Sequence, residues 1–188
     1  MTAVSTQLPW YVARSAGLVA WVLLTASVLW GLTMTTQLVR GRVGRPWLLD
    51  LHRYLGGLAA IFTGVHVGAL LADTYVHFSL TSVLVPFASS WRTSAVAWGI
   101  VAGYLLVAVE LTSLARQHLS RRVWHAIHLS SFPLFFMATI HMLTAGTDTR
   151  NHLVQGTAFA AIGAVTVLTA RRVVRDTKPR RAVPLTTR

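Results

Sequence analysis

Histidine is the residue to follow in this sequence. There are eight, at His52, His66, His77, His118, His125, His128, His141 and His152, against five carboxylates and no cysteine. The stretch 51–71, LHRYLGGLAAIFTGVHVGALL, holds His52 and His66 fourteen positions apart in an otherwise apolar, small-residue run. A second stretch, RRVWHAIHLSSFPLFFMATIHML, holds His128 and His141 thirteen apart, with His125 one turn before His128. In such surroundings an imidazole ligates a metal, moves a proton or hydrogen-bonds a neighbouring helix, because an unpaired polar ring in hydrocarbon is costly. The missing cysteines remove structural disulfides, thiolate metal sites and iron–sulfur clusters from consideration.

These positions need a scaffold, and the composition indicates which. Of 188 residues 54% are apolar and only 12% charged, with a positive mean hydropathy. A soluble domain of this size rarely carries so little charge. Crossing a bilayer takes about 20 apolar residues at 1.5 Å per residue, and five segments reach or approach that length. They lie at roughly 9–36, 48–72, 94–114, 123–144 and 154–171. Trp10, Trp30, Trp47, Trp91 and Trp124 fall near their ends, where an interfacial belt places tryptophan. The first segment lacks a basic n-region and runs too long for a cleavable signal, so it is expected to remain in the mature protein.

The formal charge of +12 reads as topology. Arg40, Arg42 and Arg45 follow the first span, Arg116, Arg121 and Arg122 follow the third, and seven more basic residues lie from Arg171 to Arg188. The opposite side carries little beyond Arg14, Arg92 and Arg150. The positive-inside rule then predicts an N-terminus outside and a cytoplasmic C-terminus. A nucleic-acid partner falls away. The expected fold is all-α, an integral membrane bundle of five transmembrane helices in contact with lipid. The 73–93 connection, with SLTSVLVPFASSW, is too short to span and is expected to form an interfacial or re-entrant helix over the outer mouth.

On an ideal helix fourteen residues are nearly four turns, so His52 and His66 share a face about 21 Å apart. His128 and His141 are separated by about 20 Å along their axis. The second and fourth spans run in the same direction, which puts His52 level with His128 and His66 level with His141. Two bis-histidine sites at two depths follow, instead of one four-ligand cluster. Bis-imidazole ligation inside a helical bundle suits haem iron, and without cysteine the haem is not covalently attached. Gly56, Gly57, Ala60, Gly64 and Gly68 would leave room for a macrocycle. Arg53 is placed to meet a propionate of the inner haem, and Arg14 lies at a depth to reach the outer one. Phase is the difficulty: thirteen residues leave His141 off the face of His128. Pro133 should kink the helix between them, and His125 stays a rival to His128. The remaining histidines, His77, His118 and His152, read as solvated loop residues. Interhelical hydrogen bonding by the histidines and close packing by Gly64 and Gly68 form the competing structural reading. Glu110 and Tyr104 in the third span suit proton movement, a quinone, or ordinary packing.

With its histidine pairs fourteen apart on one helix and thirteen apart two helices later, the chain resembles the ferric reductase-like transmembrane domain family. That superfamily includes ferric reductases, NADPH oxidases and the haem-bearing membrane subunit of the bacterial periplasmic methionine sulfoxide reductase. HFSLTSVLVPFASSWR and RRVWHAIHLSSFPLFFMATIHMLTAGTD look like small bacterial members. The resemblance covers about 10–171. It implies two haem b groups, the inner held by His52 and His128 and the outer by His66 and His141. It also implies electrons passing from a reduced flavin or quinol, supplied by a partner or the membrane, to an acceptor across the plasma membrane.

Unlike oxidases of that family, these 188 residues contain no GxGxxG or equivalent nucleotide-binding region. The expected organisation is a haem domain at 1–171 and a basic cytoplasmic tail at 172–188. The expected function is the electron-transfer membrane component of an oxidoreductase, relaying electrons from a separate flavoprotein or quinol donor to ferric iron or a periplasmic redox partner. Two other readings stand beside it: a transporter or channel using intramembrane histidines for a metal cation or protons, and a haem-free anchor subunit.

Overall fold

The computed structural model describes residues 3–36, 45–74, 76–147 and 151–176. Arg40, Arg42, Arg150 and the tail from 177 onward lie outside the described residues. Seven α-helices follow in order: α1 Ala3–Thr36, α2 Arg45–Ala72, α3 Leu80–Leu84, α4 Thr93–Leu114, α5 Arg121–Leu129, α6 Ser131–Ala145 and α7 His152–Asp176. Five stretches are long and apolar enough to cross a membrane, at 7–36, 46–72, 93–114, 121–145 and 152–175. The fourth consists of α5 and α6 together. Each expected span is present, extended by a few residues at its ends.

The fourth span is broken, and its sequence explains where. Pro133 has no N–H to offer the carbonyl of Leu129, and its ring would clash there. The chain responds with a turn at Ser130, whose N–H bonds back to the Ile127 carbonyl at 3.0 Å. Ser130 Oγ donates to the same oxygen at 2.6 Å. α6 then starts at Ser131, so Pro133 falls in its first turn, where a main-chain N–H has no helical partner anyway. On one unbroken helix, thirteen residues would leave His128 and His141 about 140° apart. The break at Ser130 lets both face α2.

α1 lies along α2, α4 lies along α6, and α7 packs behind α1. α6 also touches α1, where the Trp21 indole donates to Thr139 Oγ1 at 3.0 Å. Trp21, Ala59, Leu134 and Phe135 form a buried layer near mid-height of the bundle. α2 and α6 are not packed along their length. Ile61, Val107, Leu111 and Phe159 point outward, an apolar exterior suited to lipid.

Two arginines close helix ends. Arg175 donates to the Thr36 carbonyl at the end of α1, and Arg92 to the Thr144 carbonyl near the end of α6, each at 2.7 Å. The expected helix in the 73–93 connection is α3, capped by Ser79 Oγ, which accepts from the Ser82 N–H at 3.2 Å. α3 lies beside the first half of α4, with Val83 in one cluster with Val96 and Ile100. Tyr104 donates to the Leu84 carbonyl, so this side chain of the third span anchors α3.

Candidate functional site

The histidines come together in twos. His52 of α2 and His128 of α5 have ring centroids 5.9 Å apart, with planes at 75°. His66 of α2 and His141 of α6 have centroids 6.3 Å apart, with planes at 77°. Seven residues along α2 separate each level from Ala59, which is wholly buried in the apolar layer between them. His128, and not His125, faces His52; the exposed His125 ring lies 6.2 Å from Trp124, tilted by 42°.

Three of the four rings are held from behind by main chain. His66 Nδ1 lies 2.6 Å from the Ala13 carbonyl, His52 Nδ1 3.1 Å from that of Ser27, and His141 Nδ1 2.8 Å from that of Ala95. A carbonyl only accepts, so each Nδ1 carries the proton and Nε2 keeps its lone pair. Ser27 Oγ adds a contact to His52 Nδ1 at 3.2 Å. A hydrogen bond of this kind orients a ligating imidazole and strengthens it as a donor.

Each of these rings also lies against a glycine one turn beyond the carbonyl. A Cβ on Gly17 would stand 2.9 Å from His66 Nδ1, and one on Gly31 3.3 Å from His52 Cε1. On Gly99 it would reach 2.5 Å from His141 Nδ1. Carbonyl and glycine four residues apart thus recur as Ala13/Gly17, Ser27/Gly31 and Ala95/Gly99. Reading side-chain chemistry alone missed these residues. One signal was present: Gly17 and Gly31 are fourteen apart, the same spacing as His52 and His66.

Other expected site residues divide. A Cβ at Gly57, Gly64, Gly68 or Gly103 would meet nothing within 4 Å, so none of these glycines serves close packing within the described chain. Gly56 differs from the expectation that it opens space for a macrocycle. A Cβ there would lie 2.5 Å from Glu110 Oε1, so it allows α4 to approach α2. Ala60 packs against the core. Arg53 makes an exposed pair with Asp50 at 3.9 Å, a contact worth little in solvent. Arg14 is exposed and adjoins Ala13, at the level of the outer pair. His77, His118 and His152 are exposed, as expected of solvated positions.

The pairs fit a metal ligated on opposite sides. A metal–imidazole bond of about 2 Å, and roughly 1 Å from ring nitrogen to centroid, place two such rings about 6 Å apart. In three of the rings the Nδ1 contacts leave Nε2 as the atom open to a ligand. Among the described residues no three or more His, Cys, Asp or Glu side chains gather to hold a metal ion, and each level presents two facing imidazoles. Comparison with protein-family models, with characterised proteins and with solved structures returns no match.

Proposed function

We propose that the chain is a b-type di-haem membrane cytochrome of the ferric reductase-like kind, carrying electrons across a plasma membrane. The observation that carries this reading is the pair of imidazole pairs, 5.9 and 6.3 Å between centroids, at two levels of one bundle. Haem bound between each pair supplies one-electron chemistry through its ferric and ferrous states. His52 and His128 hold the inner group, His66 and His141 the outer. The carbonyls of Ala13, Ser27 and Ala95 orient the ligating rings, and the open faces of Gly57, Gly64 and Gly103 leave room for a flat macrocycle. Trp21, Ala59 and Phe135 keep water from the layer between the levels. Arg53 and Arg14 serve the propionates of the inner and outer groups.

In this reading the N-terminus is outside and the ends of α1, α4 and α7 are cytoplasmic. Arg116, Arg121 and Arg171 are exposed there and form a basic face for a separate flavin-bearing or quinol donor. The acceptor, ferric iron or a redox partner, meets the opposite face. The test is the dithionite-reduced absorption spectrum and the haem-to-protein ratio of the purified protein. We expect b-type bands and two haems per chain. Their absence after expression with adequate haem overturns the reading.

A further inference from the structure

The four rings are not supported alike. His52, His66 and His141 each give Nδ1–H to a main-chain carbonyl and face a glycine. His128 does neither. Its Nδ1 is buried with no acceptor among the described residues, and its ring lies flat against Trp124, with centroids 5.0 Å apart and planes 20° apart. The Trp124 indole carries the Arg116 guanidinium, whose Cζ is 4.6 Å from the ring centroid. Among the described residues Trp124 Nε1 is also buried without a hydrogen-bond partner, so stacking is what engages this indole there.

The two kinds of support have different consequences. A carbonyl acceptor fixes a ring's rotation and increases its strength as a ligand. A stacked indole limits the tilt of the ring but offers its Nδ1–H no acceptor. Helix continuity differs in the same sense. His141 is inside α6, whereas His128 is two residues before the turn at Ser130.

We propose that Trp124, held under Arg116, is the positioning residue of the inner site, setting the plane of His128 by stacking. With haem held between His52 and His128, His128 would be the imidazole that a small added ligand displaces first. This rests on the di-haem reading above, and the experiment separates the two. Carbon monoxide binds ferrous haem where an axial ligand gives way, so it reports exchangeability at each level. His52→Ala and His66→Ala each free a coordination position directly, so neither reports displacement of His128 from an intact pair. The decisive series is therefore Trp124→Ala and Trp124→Phe.

Trp124→Ala should tighten carbon monoxide binding at one haem per chain by roughly two- to twelvefold, the range a stacking contact spans. Trp124→Phe, which keeps a stacked ring without the N–H, should return the wild-type value. If Trp124→Ala loses the inner haem outright while Trp124→Phe retains it, the positioning role also stands. Unchanged carbon monoxide binding in Trp124→Ala with both haems present overturns the inference alone, as does Trp124→Phe behaving like Trp124→Ala. Wild-type protein without haem overturns the di-haem reading and this inference with it.

Discussion

The outer and inner histidine pairs reach nearly the same ring spacing by different means. At the outer level both rings are backed by a carbonyl and a glycine, with Nδ1 contacts of 2.6 and 2.8 Å. At the inner level His52 has such backing at 3.1 Å, with a hydroxyl beside it, and His128 has an indole instead. Ring spacing is therefore a property of where the helices stand, while ring support is a local matter. The same spacing thus accompanies two carbonyl-backed rings at one level and one such ring with a stacked one at the other.

Removing the rings tests the pairing most severely. His66→Ala and His141→Ala should each impair the same haem, the outer one, and His52→Ala and His128→Ala the other. His125→Ala should remove neither, as followed by haem content and the reduced spectrum of each variant. If His125→Ala impairs the haem that His52→Ala does, the inner pairing is wrong.

Crowding the glycines comes next. Gly99→Ala places a methyl 2.5 Å from His141 Nδ1, a clash the ring must move to relieve. Overpacking of this kind costs about 1–3 kcal/mol, and we expect it as weakened retention of the outer haem in competition with apomyoglobin. Gly31→Ala, at 3.3 Å from His52, should weaken the inner haem less than Gly99→Ala weakens the outer. The reverse order would show that these Cβ distances do not govern how far each ring is displaced.

Two smaller effects sharpen the comparison. Ser27→Ala removes the hydroxyl beside His52 but leaves the carbonyl, so the loss should be about 0.5–1.5 kcal/mol in thermal or denaturant unfolding of the holoprotein. Within the described chain Arg53→Ala breaks an exposed pair with Asp50, so the stability of the haem-free protein should change by less than about 1 kcal/mol. A larger loss of stability would give Arg53 a structural role that its exposure does not suggest.

Much of this architecture is legible in the sequence because its signals are periodic. Five long apolar runs mark the spanning helices, and fourteen residues put His52 and His66 on one face without further help. His128 was harder to separate from His125, because the phase of the fourth span depends on how the chain relieves Pro133. The break at Ser130 is a tertiary solution that spacing alone does not specify. The carbonyls of Ala13, Ser27 and Ala95 were illegible for another reason. Every residue has a carbonyl, and only packing decides which one meets a ring. Gly56 shows the limit of reading small residues, since an absent side chain can admit a neighbouring helix as readily as a cofactor.

The central claim is that the rings work in pairs, one pair to a level. The most direct measurement is the haem-to-protein ratio of the double variant His66→Ala/His141→Ala. Because both rings belong to one level, the account predicts one remaining haem per chain with an intact bis-histidine spectrum. Loss of all haem, or retention of two, would contradict it.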